Sequence, residues 1–317
     1  MLVAAITTLA TSPIKYLFDK LLHRAKAKTD YEYEERKQLR AKIGSYHGRL
    51  LEAAVSLNYR LNQIYDKRAK GWLNVQGEYT KRWPHHQFFN STIYRFMAFV
   101  AVANRFEREA IYIDSRIAGK RDQLFLYYVK ALRWTLTDVA LFDGLDYSED
   151  RPVDHFYTDH FRRMCSSLTR ADETEGPDPL LDLSAFEGLL GTQHDLDEVL
   201  RFFDGLDPEN ATRLRWDRLV AFQLVLMAFI ETFGYEIHRT DQMWFDRVAK
   251  RMRRETATNL LDWLPKLGIE RRWGLRRRRD PGGRRLVTAL EPLELPGHVN
   301  RLRTQAQRLA GGAEPQV

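Results

Sequence analysis

The strongest constraint on the fold is a pair of apolar runs with helical length and almost no polar face. Residues 219–230 are apolar except for Gln223, and residues 96–103 are apolar up to a closing Asn104. A helix without a polar face belongs at the centre of a fold, because every side of it avoids water. Twelve residues are too few to cross a membrane, which takes about 20. The runs therefore predict buried central helices, over about 211–235 and about 90–113.

Other segments carry the spacing of helices that are apolar on one side. Five apolar residues step by four and three positions and predict a helix over about 48–70: Leu50, Ala54, Leu57, Leu61 and Ile64. A similar pattern predicts a helix over about 120–142. The pentapeptide Phe-Asp-Gly-Leu-Asp occurs at 142–146 and at 203–207, and its glycine suits the left-handed residue that closes a helix. We expect an all-α bundle of about seven or eight helices.

Composition excludes several classes of protein. The chain has 317 residues, 44% of them hydrophobic and 29% charged, a balance that fits neither a disordered chain nor a multi-span membrane protein. Its single cysteine, Cys165, excludes an internal disulfide framework and a cysteine-based zinc site. We expect an N-terminal helix with a charged connector over 1–45, a helical bundle over 46–265, and a basic arm with a tail over 266–317.

The net charge of +7 is unevenly distributed. Residues 1–50 carry +5, residues 51–246 carry −8 and residues 247–308 carry +11. An acidic body between basic ends places candidate contacts with anionic partners at the ends. Within a helix expected from Asp241 to about Thr256, an exposed basic side is predicted from Arg247, Lys250, Arg251, Arg253 and Arg254.

The N-terminal segment combines an uncharged stretch with an amphipathic one. The first charged side chain is Lys15, and residues 15–28 then mix apolar positions with lysine and arginine. Such a helix either lies on an anionic membrane or packs on its own core or on a second subunit. The residues predicted to make a membrane or oligomer contact are Leu2, Ile6, Ile14, Lys15, Leu17, Phe18, Lys20, Leu21 and Arg24. The expected location is the cytoplasm, including the inner face of the plasma membrane.

The C-terminal segment contains eight arginines between 271 and 285. Turn residues at 280–283 predict a short basic β-hairpin or arm. Such an arm either contacts nucleic acid or another anionic surface, or folds onto the acidic body. The candidate contacts are Arg271, Arg272, Trp273, Arg276, Arg277, Arg278, Arg279, Arg284 and Arg285.

No motif in the chain carries recognisable chemistry. It has no phosphate-binding glycine loop, nucleophile elbow or zinc-protease helix. His155 and His160, five positions apart, would point away from each other on one helix. We therefore assign no catalytic, cofactor or metal residue and expect a non-enzymatic scaffold or interaction protein. The alternatives are a nucleic-acid-binding protein that uses 271–285, and a helical enzyme with a pocket assembled in space.

Three stretches together resemble a broad group of bacterial all-helical proteins. They are Gly48 to Ile64, Ser91 to Phe99 and Arg218 to Leu224, within a region of about 45–235. The resemblance implies a helical fold, and it brings with it no activity and no site residues.

Overall fold

A computed structural model describes residues 2–81, 86–110, 117–147, 153–169, 180–235 and 242–269, with the side chains of the first helix described from Lys20 onward. Within these ranges every regular element is helical, apart from one isolated bridge between Thr169 and Leu180. The all-α prediction is therefore confirmed. The described residues form nine α-helices and several short 3-10 helices, so the expected count of seven or eight was too low.

The first helix, α1, is unusually long. It spans Leu2–Asp66, 65 residues, or about 98 Å at 1.5 Å per residue. The predicted stripe from Leu50 to Ile64 is buried along one side of it. Among the described side chains, Leu39 is the buried one nearest the N-terminus, and residues 20–31 are all exposed. We call residues 2–38 the N-terminal arm. The domain boundary predicted at residue 45 falls inside this continuous helix.

The core forms around two further long helices. Helix α2, His86–Ala110, packs along α1, and helix α7, Arg213–Phe233, packs on both α1 and α3, Lys120–Thr137. Every residue of α7 from 216 to 230 is buried, as its apolar sequence predicted. Phenylalanine rings of α2 and α7 pack edge to face, with Phe222 of α7 against Phe96 and Phe99 of α2.

The shorter helices cover this core from two sides. Three of them pack on α2 or beside it: α4 at Thr158–Ser167, α5 at Leu183–Leu189 and α6 at Asp197–Phe203. Two pack on α7: α8 at Gln242–Ala249 and α9 at Arg254–Lys266. Single turns of 3-10 helix occupy Arg68–Lys70, Val139–Phe142 and His194–Leu196.

Both copies of the repeated pentapeptide lie at helix ends, as predicted. Helical structure stops at Phe142 and at Phe203, and the following glycines, Gly144 and Gly205, have φ angles of +77° and +63°. The second copy also makes contacts away from its own helix. The carboxylate of Asp204 accepts hydrogen bonds from the backbone N–H groups of residues 75–77, at 2.8–3.1 Å. This carboxylate fixes the loop after α1 to the end of α6.

Candidate functional site

The N-terminal arm carries the residues predicted to contact a membrane or a second subunit. Six of these positions, Leu2, Ile6, Ile14, Lys15, Leu17 and Phe18, lie on the helical backbone ahead of the described side chains. Lys20, Leu21 and Arg24 are exposed, and Leu21 and Leu22 expose 63% and 59% of their surface. The prediction that this part of the arm contacts a membrane or a second subunit stays a prediction.

The arm meets the body at a defined place. Arg36 donates from Nε to the carbonyl of Ile117 at 2.7 Å, and Arg40 pairs with Asp122 at the start of α3. Leu39 packs between these contacts with 1% of its surface exposed. From this junction toward the N-terminus, residues 2–35 are helical over about 51 Å.

The basic C-terminal segment falls outside the described residues, which end at 269. The predicted hairpin and all nine candidate contacts, from Arg271 to Arg285, lie there. The interpretation of this segment as a nucleic-acid or anionic surface contact stays a prediction.

The exposed basic side predicted for residues 247–254 is wrong in two positions. Arg251 is 5% exposed, and its guanidinium carbon lies 3.8 Å from the ring centroid of Tyr65 on α1. Arg253 donates from Nε to Asp217 at 2.6 Å. Asp217 is fully buried, and it also binds Arg213 and the hydroxyl of Thr256. Arg251 therefore fixes the connection between α8 and α9 to α1, and Arg253 fixes it to α7, so both side chains are unavailable to a partner.

The most polar group in the core surrounds Arg218. Its guanidinium is completely buried, and it donates to the backbone carbonyls of Asp154, Thr135 and Asp138 at 2.8, 2.8 and 3.0 Å. Burial lowers the pKa of Arg218 to about 10, so the group remains a cation at neutral pH. It links the end of α3 to the segment before α4, and sequence patterns give no signal for these contacts.

A buried histidine lies beside this cation. His155 is 3% exposed, and its Nδ1 lies 2.6 Å from the hydroxyl of Tyr147. Burial, together with the charge of Arg218, lowers the pKa of His155 to about 4. The imidazole is therefore neutral at physiological pH. His160 is separate and exposed on α4, with its Nδ1 3.6 Å from Glu198.

The described residues offer neither a metal cluster nor a helix that could span a membrane. No three His, Cys, Asp or Glu side chains in those ranges converge on a point where a metal ion could sit. None of the helices in the same ranges combines the length and the apolar character needed to cross a bilayer.

Comparisons with known proteins leave the function open. No family model matches the chain, and no curated protein and no solved structure matches it. The function is therefore argued from the residues themselves.

Proposed function

We propose that the protein is a non-enzymatic scaffold that attaches to an anionic membrane surface through its N-terminal arm. The observation that carries this proposal is the exposure of Leu21 and Leu22 beside three exposed cations, Arg24, Lys26 and Lys28. Apolar side chains flanked by lysine and arginine bind at the boundary between lipid headgroups and acyl chains. Each leucine removed from water contributes roughly 1.5–3 kcal/mol, and each cation near an anionic leaflet about 1 kcal/mol.

The order of charges along the arm supports attachment by its far end. Residues 15–28 carry a net charge of +4, and four carboxylates follow between 30 and 35. Asp30, the nearest of these carboxylates, lies nine residues beyond Leu21, about 14 Å along the helix. That distance exceeds the Debye length of about 8 Å at physiological salt, so repulsion of the carboxylates by the membrane is largely screened. The acidic body lies further away still.

This arrangement defines the role of a scaffold. The arm binds the surface, and the rigid α1 helix holds the bundle at a distance set by the arm. Because α1 continues without a break into the core stripe from Leu50 to Ile64, the arm and the body share one helix.

The test is co-sedimentation of the full chain with vesicles of phosphatidylcholine alone and with one quarter phosphatidylglycerol. We expect binding to the anionic vesicles, weakened by salt. R24Q/K26Q/K28Q and L21Q/L22Q should each weaken it at least tenfold. The matched control is K67Q/R68Q/K70Q, which removes three exposed cations from the body and should change binding less than twofold.

Two results would contradict the membrane proposal. If the wild type ignores anionic vesicles but sediments as a dimer that L21Q/L22Q dissociates, the leucines contact a second copy and the membrane proposal is wrong. Equal loss in the body control would show that binding follows overall charge, which also contradicts the proposal.

A further inference from the structure

The bundle contains a cleft that is separate from the arm. It has a volume of about 350 Å³ and lies between α2 and α3, with α4 at one edge. Its floor includes Phe106, Ala110 and Val129, which are buried in the core. A second, smaller cavity of about 10 Å³ shares Asn104, Glu107, Val129 and Arg133 with the lining of the cleft. This volume lies within the range of small-molecule sites, about 300–1,000 Å³.

Charge at the mouth of the cleft is opposite to that of the body. Four cations line it against one carboxylate, although residues 51–246 as a whole carry −8. The lining charges are Arg108, Lys130, Arg133, Arg162 and Glu107. Within the described ranges, Arg108 and Lys130 have no ion pair. Arg162 has only a long contact of 3.9 Å with the exposed Asp159. A local excess of positive charge in a concave site attracts an anion.

One of these cations is held in place. Arg133 donates from Nη1 to Glu107 at 2.8 Å, and the two side chains are 31% and 18% exposed. A half-buried carboxylate that fixes one edge of a guanidinium leaves its other donors, Nε and Nη2, for a ligand. A guanidinium in a fixed orientation loses less entropy when it binds a carboxylate or phosphate.

The floor of the cleft includes one uncharged polar side chain, Asn104. Asn104 is 6% exposed and lines both the cleft and the smaller cavity. No described residue hydrogen-bonds to its side-chain amide. An amide offers two donors and an acceptor, so this side chain can hydrogen-bond to water or to a ligand in the cleft. Asn104 is the residue that ends the apolar run of α2, so the sequence places an amide at the depth where that helix borders the cleft.

We infer that this cleft binds a small amphiphilic organic anion, with its carboxylate, sulfonate or phosphate group among Arg108, Lys130 and Arg133 and its apolar part against the floor. The amide of Asn104 then hydrogen-bonds to a polar atom of the ligand. The inference does not depend on the membrane proposal, since none of these residues belongs to the arm.

The probe for this site is 8-anilinonaphthalene-1-sulfonate, an aromatic sulfonate that fluoresces in apolar surroundings. N-phenyl-1-naphthylamine has the same aromatic skeleton without the sulfonate and serves as the neutral control ligand. We expect saturable binding of one sulfonate probe per chain, an increase in the thermal midpoint on binding, and at least tenfold weaker binding of the neutral analogue. Phenyl phosphate and benzoate then compete, and their relative strength distinguishes phosphate from carboxylate ligands.

Variants locate the probe. R108Q/K130Q should raise the dissociation constant of the sulfonate probe at least fivefold, and N104L at least threefold. The charge-matched control R201Q/K250Q removes two exposed cations outside the cleft and should change it less than twofold. Three results would each overturn the inference: equal binding of the neutral analogue, an equal effect of the control variant, or unchanged binding in N104L. Far-UV circular dichroism of each variant confirms that it is folded.

Discussion

Replacing Arg218, the buried arginine of α7 that contacts the end of α3, tests how the core is held together. In R218M the side chain keeps a similar length but loses every donor. The carbonyls of Asp154, Thr135 and Asp138 then lose the hydrogen bonds that they accept from Arg218 at 2.8–3.0 Å. In the wild type the guanidinium carbon of Arg218 lies 4.6 Å from the centroid of the Phe142 ring, and methionine fills this space in the variant.

The magnitude follows from two opposing contributions. A buried carbonyl without a partner costs roughly 1–3 kcal/mol, so three of them cost roughly 3–9 kcal/mol. The variant also avoids burying a cation, which offsets several kcal/mol of that loss. We expect a net decrease in the free energy of unfolding of about 1–5 kcal/mol. Since domains are stable by only about 5–15 kcal/mol, this change is a large fraction of the total.

Urea unfolding, followed by far-UV circular dichroism, measures this free energy. R201M is the matched control, because Arg201 is exposed and its side chain makes only a 3.8 Å surface contact with Asp197. We expect R201M to change stability by less than 1 kcal/mol. A loss below 1 kcal/mol in R218M, with an unchanged urea dependence, would refute the idea that this cation supports the three carbonyls.

Three further predictions concern single residues. The pKa of His155 is about 4 when folded and about 6.5 when unfolded, so as the pH falls the unfolded chain binds the proton first. The free energy of unfolding of the wild type should therefore fall by about 2 kcal/mol between pH 7 and 4.5, and H155Q should lack this part of the loss; urea titrations at each pH measure it. Burial raises the pKa of the Cys165 thiol, so Ellman's reagent should label it at least 100-fold more slowly in the native protein than in urea. Gly48 lies within α1 with open space where a Cβ would be, so alanine there should stabilise the fold by about 0.5–1 kcal/mol. At Gly268 φ is +84° and a Cβ would lie 2.7 Å from the ring of Tyr127, so alanine there should destabilise the fold by more than about 1 kcal/mol. The thermal midpoints of the two variants should move in opposite directions.

Local sequence patterns predicted the central helices well, because the residues that determine each of these helices lie within one segment of the chain. The apolar run at 219–230 leaves no face for water, and α7 spans Arg213–Phe233 against an expected 211–235. The glycines at 144 and 205 end helices through their own backbone freedom. In each case the cause lies within a few residues of the effect.

The length of α1 was harder to predict for a physical reason. Pro13 and the charged stretch over 31–49 both suggest interruptions, yet one helix runs from Leu2 to Asp66. A proline inside a helix removes one hydrogen bond and crowds the preceding turn, at a cost of roughly 3 kcal/mol, but residues such as Glu, Lys, Arg and Ala elsewhere in α1 favour helix without any burial. The hydrophobic pattern therefore gave no signal for a helix that is largely solvated over residues 20–38.

Buried arginines were missed because their partners are distant in sequence. Arg218 contacts carbonyls 64 to 83 positions away, and Arg253 meets Asp217 across 36 positions. Composition counts these residues as surface charge. In the fold they are structural, so the positive charge that remains for partners is smaller and more localised than the sequence suggests.

That localisation makes the two proposed sites separable by experiment. The arm cations Arg24, Lys26 and Lys28 lie in the exposed stretch of α1, whereas Arg108 and Lys130 border a cleft formed by α2 and α3. If both proposals hold, R24Q/K26Q/K28Q should lose vesicle binding and keep the sulfonate probe, and R108Q/K130Q should do the reverse. If the cleft variant also lost vesicle binding, the bundle itself would contact lipid, and the arm could not be the site of attachment. Because each variant removes only exposed cations from a folded helix, a crossed effect would reflect shared ligand chemistry and not unfolding.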